Sequence, residues 1–342
     1  MGIRDRKEAD VTREAIEWIE RNVELRPTSS AEALYDQMES QCDSLAVIYV
    51  PFDVSNRGHF VDRGQILDYA ITCGPGRVLD FGPGEGWPSL LMAPMVEEVV
   101  GVDGSNRRVD ACTRNAKRMG IGNAGFVHVP PGAPLPFDDA SFDGVTAASS
   151  VEQTPEAKAT LAELCRVLRP GGRLRMHYES LCYYAGGHEC ELYVGGAGDL
   201  MIYDRHIGEE YVEHMNLTFD LSEAEILGVF SRHGVELPNA TSEVLADLKP
   251  HMTDAVTWTT RHPSCRTLLK WLPEVGFSSA QATYDGGWFA RRLFDRLPEA
   301  KRPREMSAVD EMLRPLVEVV VTMERPPIAP PSEWEPWVTA VR

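Results

Sequence analysis

The run Arg77-Val-Leu-Asp-Phe-Gly-Pro-Gly-Glu-Gly86 constrains the fold more than any other part of this chain. An apolar segment leads straight into three glycines, Gly82, Gly84 and Gly86, which tolerate positive φ and let a ligand approach the backbone. Pro83 fixes one φ, and Pro88 suits the first position of a following helix, whose amino end would face the ligand. Strand, glycine turn and helix imply an α/β unit that cradles a nucleotide-like molecule; the same turn also meets purely steric needs in strand-to-helix connections.

A second apolar segment, Val96 to Val102, ends in Asp103. It lies about 20 residues beyond the first glycine, where a carboxylate in a doubly wound fold takes the ribose hydroxyls. The glycines read Gly-x-Gly-x-Gly, which differs from the Gly-x-Gly-x-x-Gly of a dinucleotide site.

Three separated segments resemble the class I S-adenosylmethionine-dependent methyltransferases, particularly those acting on small molecules. They are VLDFGPGEGWPS (78–89), VVGVDGS (99–105) and LPFDDASFDGVTAASSVEQTPEAKATLAELCRVLRPGGRL (135–174). The last combines a Leu-Pro-Phe turn, a Ser-Phe-Asp strand entry, a helix and an Arg-Pro-Gly-Gly exit in the family's order. The resemblance implies S-adenosylmethionine as cofactor, with Gly82, Gly84 and Gly86 at its amino acid part, Asp80 organising the turn and Asp103 on the ribose. It further implies adenine contacts through the backbone near Gly132 and Ala133, and Ser149 at the edge of the site. Two departures stand out. Pro130-Pro131-Gly132 replaces a frequent Gly-Asp-Ala whose acid lies near the adenine amino group, and Val151-Glu152-Gln153 replaces a frequent Leu-Glu-His, so a histidine base is absent there.

Strands alternating with helices imply a doubly wound, Rossmann-like α/β fold, and the resemblance sets its sheet at seven mostly parallel strands, with an N-terminal helical cap and an inserted lid. Strands are expected at 77–81, 97–102, 125–129, 142–148 and 172–179. Helix 105–119 has Ser105 as N-cap and Gly120 past its end; helix 155–168 has Thr154 as N-cap and Pro155 at its first position. Its Leu161, Leu164, Cys165 and Leu168 form a packing stripe. The expected divisions are a cap at 1–64, the cofactor-binding core at 65–180, a substrate lid at 181–262, the rest of the core at 263–325 and a tail at 326–342. The cap holds helices at 5–25 and 30–40 and a strand or loop from Leu45 to Phe60. The lid holds a hairpin at 191–194 and 200–204, a helix from Ser222 to His233 and a short helix around 244–248. Helix 264–275 returns the chain to the core, and Leu316 to Met323 is expected as an antiparallel seventh strand. The proline-rich stretch Pro326 to Pro336 reads as a wrap or linker.

The chemistry implied is in-line attack on a sulfonium methyl group, for which the protein supplies alignment, exclusion of water and, where the nucleophile carries a proton, a base. Candidates lie at the carboxyl ends of the strands. His177 and Glu152 are the candidate bases, with a hydrogen-bonded structural histidine and a helix-cap or solvent-facing glutamate as the plain alternatives. Tyr178, Glu179 and the earlier Tyr49 are candidate acceptor contacts. The run His188-Glu189-Cys190-Glu191, with His206 and Glu209, contains metal-ligand types, but alternation along a strand sends neighbours to opposite faces, so no metal is expected.

A formal net charge of −18, from 52 acidic against 34 basic residues, repels a polyanion, and no Asn/Asp-Pro-Pro-aromatic signature follows the fourth strand; a small-molecule partner is expected and nucleic acid is not. No apolar run reaches the ~18 residues of a membrane span, and the charged start lacks a signal-peptide core, so a cytoplasmic protein without membrane partners is expected. Seven cysteines without a CxxC pair read as reduced thiols. The oligomeric state stays open. The rival classes are methylation of a protein or peptide side chain and non-catalytic cofactor binding; a nicotinamide cofactor ranks last.

Overall fold

Short, β-branched apolar runs bounded by glycine and proline form the strands, and capped 3.6-periodic segments form the helices between them. The computed structural model describes residues 6–29, 53, 55–180, 188–195, 198–206, 210–237, 239–325 and 335–342. In chain order these give α1 (Arg6–Asn22), β1 (Arg26–Pro27), α2 (Arg57–Cys73), β2 (Arg77–Phe81), α3 (Ser89–Met92), β3 (Glu98–Asp103), α4 (Asn106–Met119), β4 (Ala124–His128), β5 (Phe142–Ala148), α5 (Ala157–Val167) and β6 (Leu168–His177). There follow β7 (His188–Gly195), β8 (Asp199–His206), β9 (Tyr211–Phe219), α6 (Glu223–Arg232), α7 (Ser242–Leu248), β10 (Met252–Arg261), α8 (Cys265–Glu274), β11 (Ser279–Thr283), α9 (Gly286–Arg296), α10 (Met306–Val320) and β12 (Trp337–Val341). The chain divides into two compact units, Met1–Ala33 with Tyr184–His262, and Leu34–Tyr183 with Pro263–Arg342.

The larger unit holds a seven-stranded sheet in the order β11-β12-β6-β5-β2-β3-β4. β2 to β6 run parallel, and β12 lies antiparallel to both β6 and β11. The chain starts at β2, moves outward through β3 and β4, then crosses to β5 and β6. The strand order therefore reverses beside β2, where open α/β sheets bind ligands. One core cluster joins Leu79, Val145 and Leu174 of the sheet to Leu161 and Leu164 of α5 and Leu268 and Leu272 of α8. On α2, Ile66 and Tyr69 pack with Val78 and Val99.

Three expectations are corrected here. Leu316 to Met323 is not a strand: it falls in and just after α10, whose buried Val309, Leu313, Val317 and Val320 repeat at helical spacing while Val319 is 60% exposed. A valine-rich run favours a strand locally, but burial on one helical face overrides that preference. The antiparallel seventh strand is β12, within the stretch expected as tail; Val338 and Ala340 are fully buried and the strand is paired on both sides. Second, helix 155–168 begins at Ala157 without a side-chain cap, because the Thr154 hydroxyl donates to the Val151 carbonyl. Third, residues 57–60 are helical, since Asn56 caps α2 by accepting from the Gly58 N–H. The remaining caps fall as expected: Ser105 accepts from the Arg108 N–H, and Gly120 closes α4 at positive φ.

In β6, Arg175 has no exposed surface and forks onto both Asp68 oxygens of α2 at 2.7 Å. Its remaining donors reach Thr283, Thr339 and the Tyr284 carbonyl. A buried guanidinium with every arm occupied ties α2 to the strands on both sides of β12.

The smaller unit carries a five-stranded sheet in the order β1-β10-β9-β8-β7, antiparallel from β10 to β7. Its apolar face, with Leu192, Ile202, Met215 and Leu217, packs on Ile16 and Ile19 of α1, Ile226 and Phe230 of α6 and Val244 of α7. The expected hairpin is present as β7–β8, and Ser222 with Glu225 forms a capping box on α6. The strands β9 and β10 are not among the expected elements, although β9 alternates His214, Asn216 and Thr218 with Met215, Leu217 and Phe219 at strand period. Helices 30–40, Leu45 to Val50 and Tyr49 lie outside the described residues.

Candidate functional site

The glycine turn leaves β2 between two buried acids. Asp80 is fully buried and accepts from Ser89 Oγ and from Thr146 Oγ1, the latter at 2.9 Å; burial outweighs those bonds and pushes its carboxyl up to about 7. It thereby staples the turn to α3 and β5. Gly82, Gly84 and Gly86 all have positive φ, at 75°, 57° and 113°. A Cβ on Gly82 would lie 2.5 Å from Ser150 Cβ, so the position excludes any side chain. Asp103, at the end of β3, accepts from the Ser105 N–H at 2.9 Å and the Gly84 N–H at 3.3 Å, which locks the glycine turn to the neighbouring strand. Burial holds its carboxyl above the usual range.

These groups border a cavity of about 540 Å³, within the span typical of small-molecule sites. Gly82, Gly84, Asp103, Gly132, Ala133 and Ser149, all expected at the cofactor, line it. Asp80 lies behind the wall, and Gly86 just outside the lining. Ser149 sits at φ 48°, a strained conformation for a residue with a Cβ. It is held there by its N–H to the His177 carbonyl and by Gln153 Nε2 donating to its own carbonyl at 2.6 Å. Ser150 Oγ, donating to the Phe81 carbonyl, fastens the end of β5 to that of β2.

At the expected adenine end, Pro131 and Gly132 occupy the centre of a tight turn: Gly132 has φ 78°, and the Ala133 N–H donates to the Pro130 carbonyl at 3.0 Å. This is the type II arrangement that Pro-Gly favours. It alters the expected role of Ala133, whose N–H is taken by the turn and leaves only its carbonyl for a ligand.

The candidate bases do not line the cavity. His177 shares a 2.7 Å hydrogen bond between its Nδ1 and Tyr69 Oη, stacks on Trp337 at 4.6 Å and meets Trp87 edge-on. Burial, reinforced by Arg175, lowers its pKa to about 4. Trp87 does line the cavity, so the aromatic cluster reaches it through the indole. Glu152 is buried; its Oε1 accepts from the Glu179 N–H at 3.2 Å, and its Oε2 has no hydrogen-bond partner among the described residues. Burial, aided by the carboxylates of Glu179 and Glu335, pushes this carboxyl up to about 8. Tyr178 is buried in the core cluster with α5 and α8, on the opposite face of β6 from His177.

Trp87 and Arg108 are among the cavity residues that were not foreseen. Trp87 stands inside the Gly-rich turn, where a bulky residue among glycines is itself a signal. Arg108 lies three residues past the N-cap of α4, close enough to Asp103 to share its cavity. In the run 188–191, register pairs Cys190 with Asp204; among the described residues, Asp204 and His206 of β8 and Glu213 of β9 bring ligand atoms within 4.8 Å of one another. Asp204 is already engaged by Cys190 Sγ and His206 Nε2, and Glu209 lies outside the described residues.

Residues 79–176 match the family model described as a methyltransferase domain. The uncharacterized methyltransferase YcgJ of Bacillus subtilis is 32% identical over 119 residues, 34% of this chain and 47% of that protein. Demethylmenaquinone methyltransferase of Thermus thermophilus is 35% identical, covering 33% of this chain and 51% of its own. The 27-O-demethylrifamycin SV methyltransferase of Amycolatopsis mediterranei is 34% identical, covering 29% of this chain and 37% of its own. The chain spans about half the length, or less, of these curated relatives. The reversal of strand order beside β2, the glycine turn and Asp103 meet on one cavity within the segment, residues 79–176, that matches the methyltransferase-domain model.

Proposed function

We propose that this chain transfers the methyl group of S-adenosylmethionine to a small-molecule acceptor. The observation that carries the reading is the convergence of positive-φ glycines and Asp103 on one cavity at the carboxyl ends of β2 and β3. That donor set fits the cofactor: open backbone for the amino acid part at Gly82, Gly84 and Gly86, and a buried carboxylate for the ribose at Asp103. Gly132 and the Ala133 carbonyl flank the base, and Ser149 borders the reacting end. Relatives named for demethylmenaquinone and 27-O-demethylrifamycin SV support a small-molecule acceptor.

When bound, the cofactor supplies an activated methyl group. The chain's own task is to align the acceptor, exclude water and hold a proton. Trp87 closes the cavity toward β6, and the Tyr69–His177–Trp337 stack keeps that indole in place. Of the two candidate bases, Glu152 suits proton transfer better, because its carboxyl near 8 exchanges a proton close to neutrality and one oxygen is uncommitted. His177 is committed to Tyr69 and serves to position the ring cluster. Glu179, whose N–H donates to Glu152, is kept as a candidate acceptor contact, while Tyr178 lies in the core cluster. Among the described residues no helix is long and apolar enough to cross a membrane, and the acidic charge favours a free small molecule in the cytoplasm over nucleic acid.

The test pairs calorimetry with label transfer. S-adenosylmethionine and S-adenosylhomocysteine should both bind, and a labelled methyl group should enter the small-molecule fraction of a cell extract. Binding of NAD with neither of the other two overturns the cofactor; label found only in protein, or in no fraction, overturns the acceptor class or the catalysis.

A further inference from the structure

Among the charged groups that line the cavity, which also include Glu85, Glu156 and Glu163, Arg108 has a buried atom to account for. Arg108 projects from the first turn of α4 beside Asp103, and its Nη1 lies 3.0 Å from where a Cβ on Gly84 would stand. Its Nε is buried and has no hydrogen-bond partner among the described residues. The nearest carboxylate does not supply one, since Asp103 spends its oxygens on the N–H groups of Ser105 and Gly84. A buried donor is rarely left unpaired in a native site, and a guanidinium can only donate. The missing partner is therefore an acceptor or a π face on the ligand.

The stretch that follows β4 narrows the choice. Val129, Pro130 and Pro131 line the cavity with apolar surface, Gly132 adds no side chain, and the Ala133 N–H is held inside the turn. Residues 129–133 carry no carboxylate with which to read a base. We propose that Arg108 binds the nucleoside end of the cofactor, laying its planar guanidinium on the purine or its ribose edge while the Pro130–Pro131 wall covers the other side. The inference rests on the methyl-donor reading given above and assigns that site a residue of its own. Arginine suits the task better than lysine because its planar fork both stacks and donates, whereas an ammonium is a strongly hydrated point charge.

Calorimetric titration of the full chain with S-adenosylhomocysteine and with 5′-methylthioadenosine, which lacks the amino acid carboxylate, tests this. Arg108→Ala should weaken both ligands by about tenfold, the scale of a desolvated cation–π contact. Arg108→Lys should recover only part of the loss, with the melting temperature of each unliganded variant unchanged. Equal affinity in wild type and Arg108→Ala overturns the proposal. So does a loss confined to S-adenosylhomocysteine, which would give the guanidinium to the amino acid carboxylate instead. If the unaltered protein binds neither ligand, the methyl-donor reading itself falls, and this inference with it.

Discussion

The two ends of the same sheet edge are built from different materials. On the β2–β3 side the site is made of backbone: three positive-φ glycines, N–H groups bonded to Asp103, and a Pro-Gly turn. On the β5–β6 side it is made of buried side chains: Glu152, His177, Tyr69, Trp337 and the Arg175–Asp68 pair beneath them. Backbone construction tolerates almost no side chain, and the two acids that hold it, Asp80 and Asp103, are themselves shifted upward by burial. Side-chain construction tolerates shape changes better, but its buried titratable groups couple folding to protons.

The sharpest way to break this contrast is to remove half of the buried pair. Asp68→Ala leaves the Arg175 charge uncompensated and should cost about 3–5 kcal/mol, read as a fall in the urea midpoint. A cost below that of an exposed pair would mean that water reaches Arg175. Gly82→Ala comes next: the new Cβ meets Ser150 at 2.5 Å at a φ of 75°, and the strain should cost about 1–3 kcal/mol and abolish S-adenosylhomocysteine binding. Retained binding would show that the turn adapts.

Protons then act at both ends, through Asp80 on the β2 side and Glu152 and His177 on the β5–β6 side. Glu152 is raised from 4.5 to about 8, so the folded state holds its proton more tightly than the unfolded chain. Its contribution to stability is fully present below 4.5 and is lost as pH rises through about 8. Glu152→Gln should flatten the decline in stability measured between pH 5 and 8; an unchanged slope would assign the decline to Asp80, which is raised to about 7. His177 acts in the other sense. Its pKa is lowered from 6.5 to about 4, so the stability it contributes is lost as pH falls through that window. The smallest effect is expected at Ser149, whose φ of 48° suits glycine: Ser149→Gly should change stability by less than about 1 kcal/mol, in the stabilising direction. A larger loss would mean that the Ser149 side chain makes a contact of its own.

The backbone end was the legible one, for a reason rooted in chemistry. Gly82, Gly84, Gly86 and Asp103 announce themselves because a turn at positive φ and a ribose-facing acid each demand one residue type at a fixed spacing. Ser105 and Gly120 mark the limits of α4 in the same local way. Arg108 was hidden because its importance comes from an empty hydrogen-bond position, which only the packed cavity reveals. The β5–β6 end was hidden for a related reason. Nothing adjacent to Glu152 in sequence raises its carboxyl; burial does, along with Glu179 and Glu335 from distant parts of the chain.

By itself, the sequence determined the parallel core, the glycine turn and the acid that faces it, because those features depend on local backbone geometry and a period read over a few residues. Only the tertiary structure decided that Leu316 to Val320 is helical and that Trp337–Val341 is the strand between β11 and β6. It likewise decided that α1 packs with strands nearly 200 positions away and that Glu152 is a buried acid. Each of those outcomes turns on which face of a segment is buried, and burial is a property of distant neighbours rather than of the segment itself.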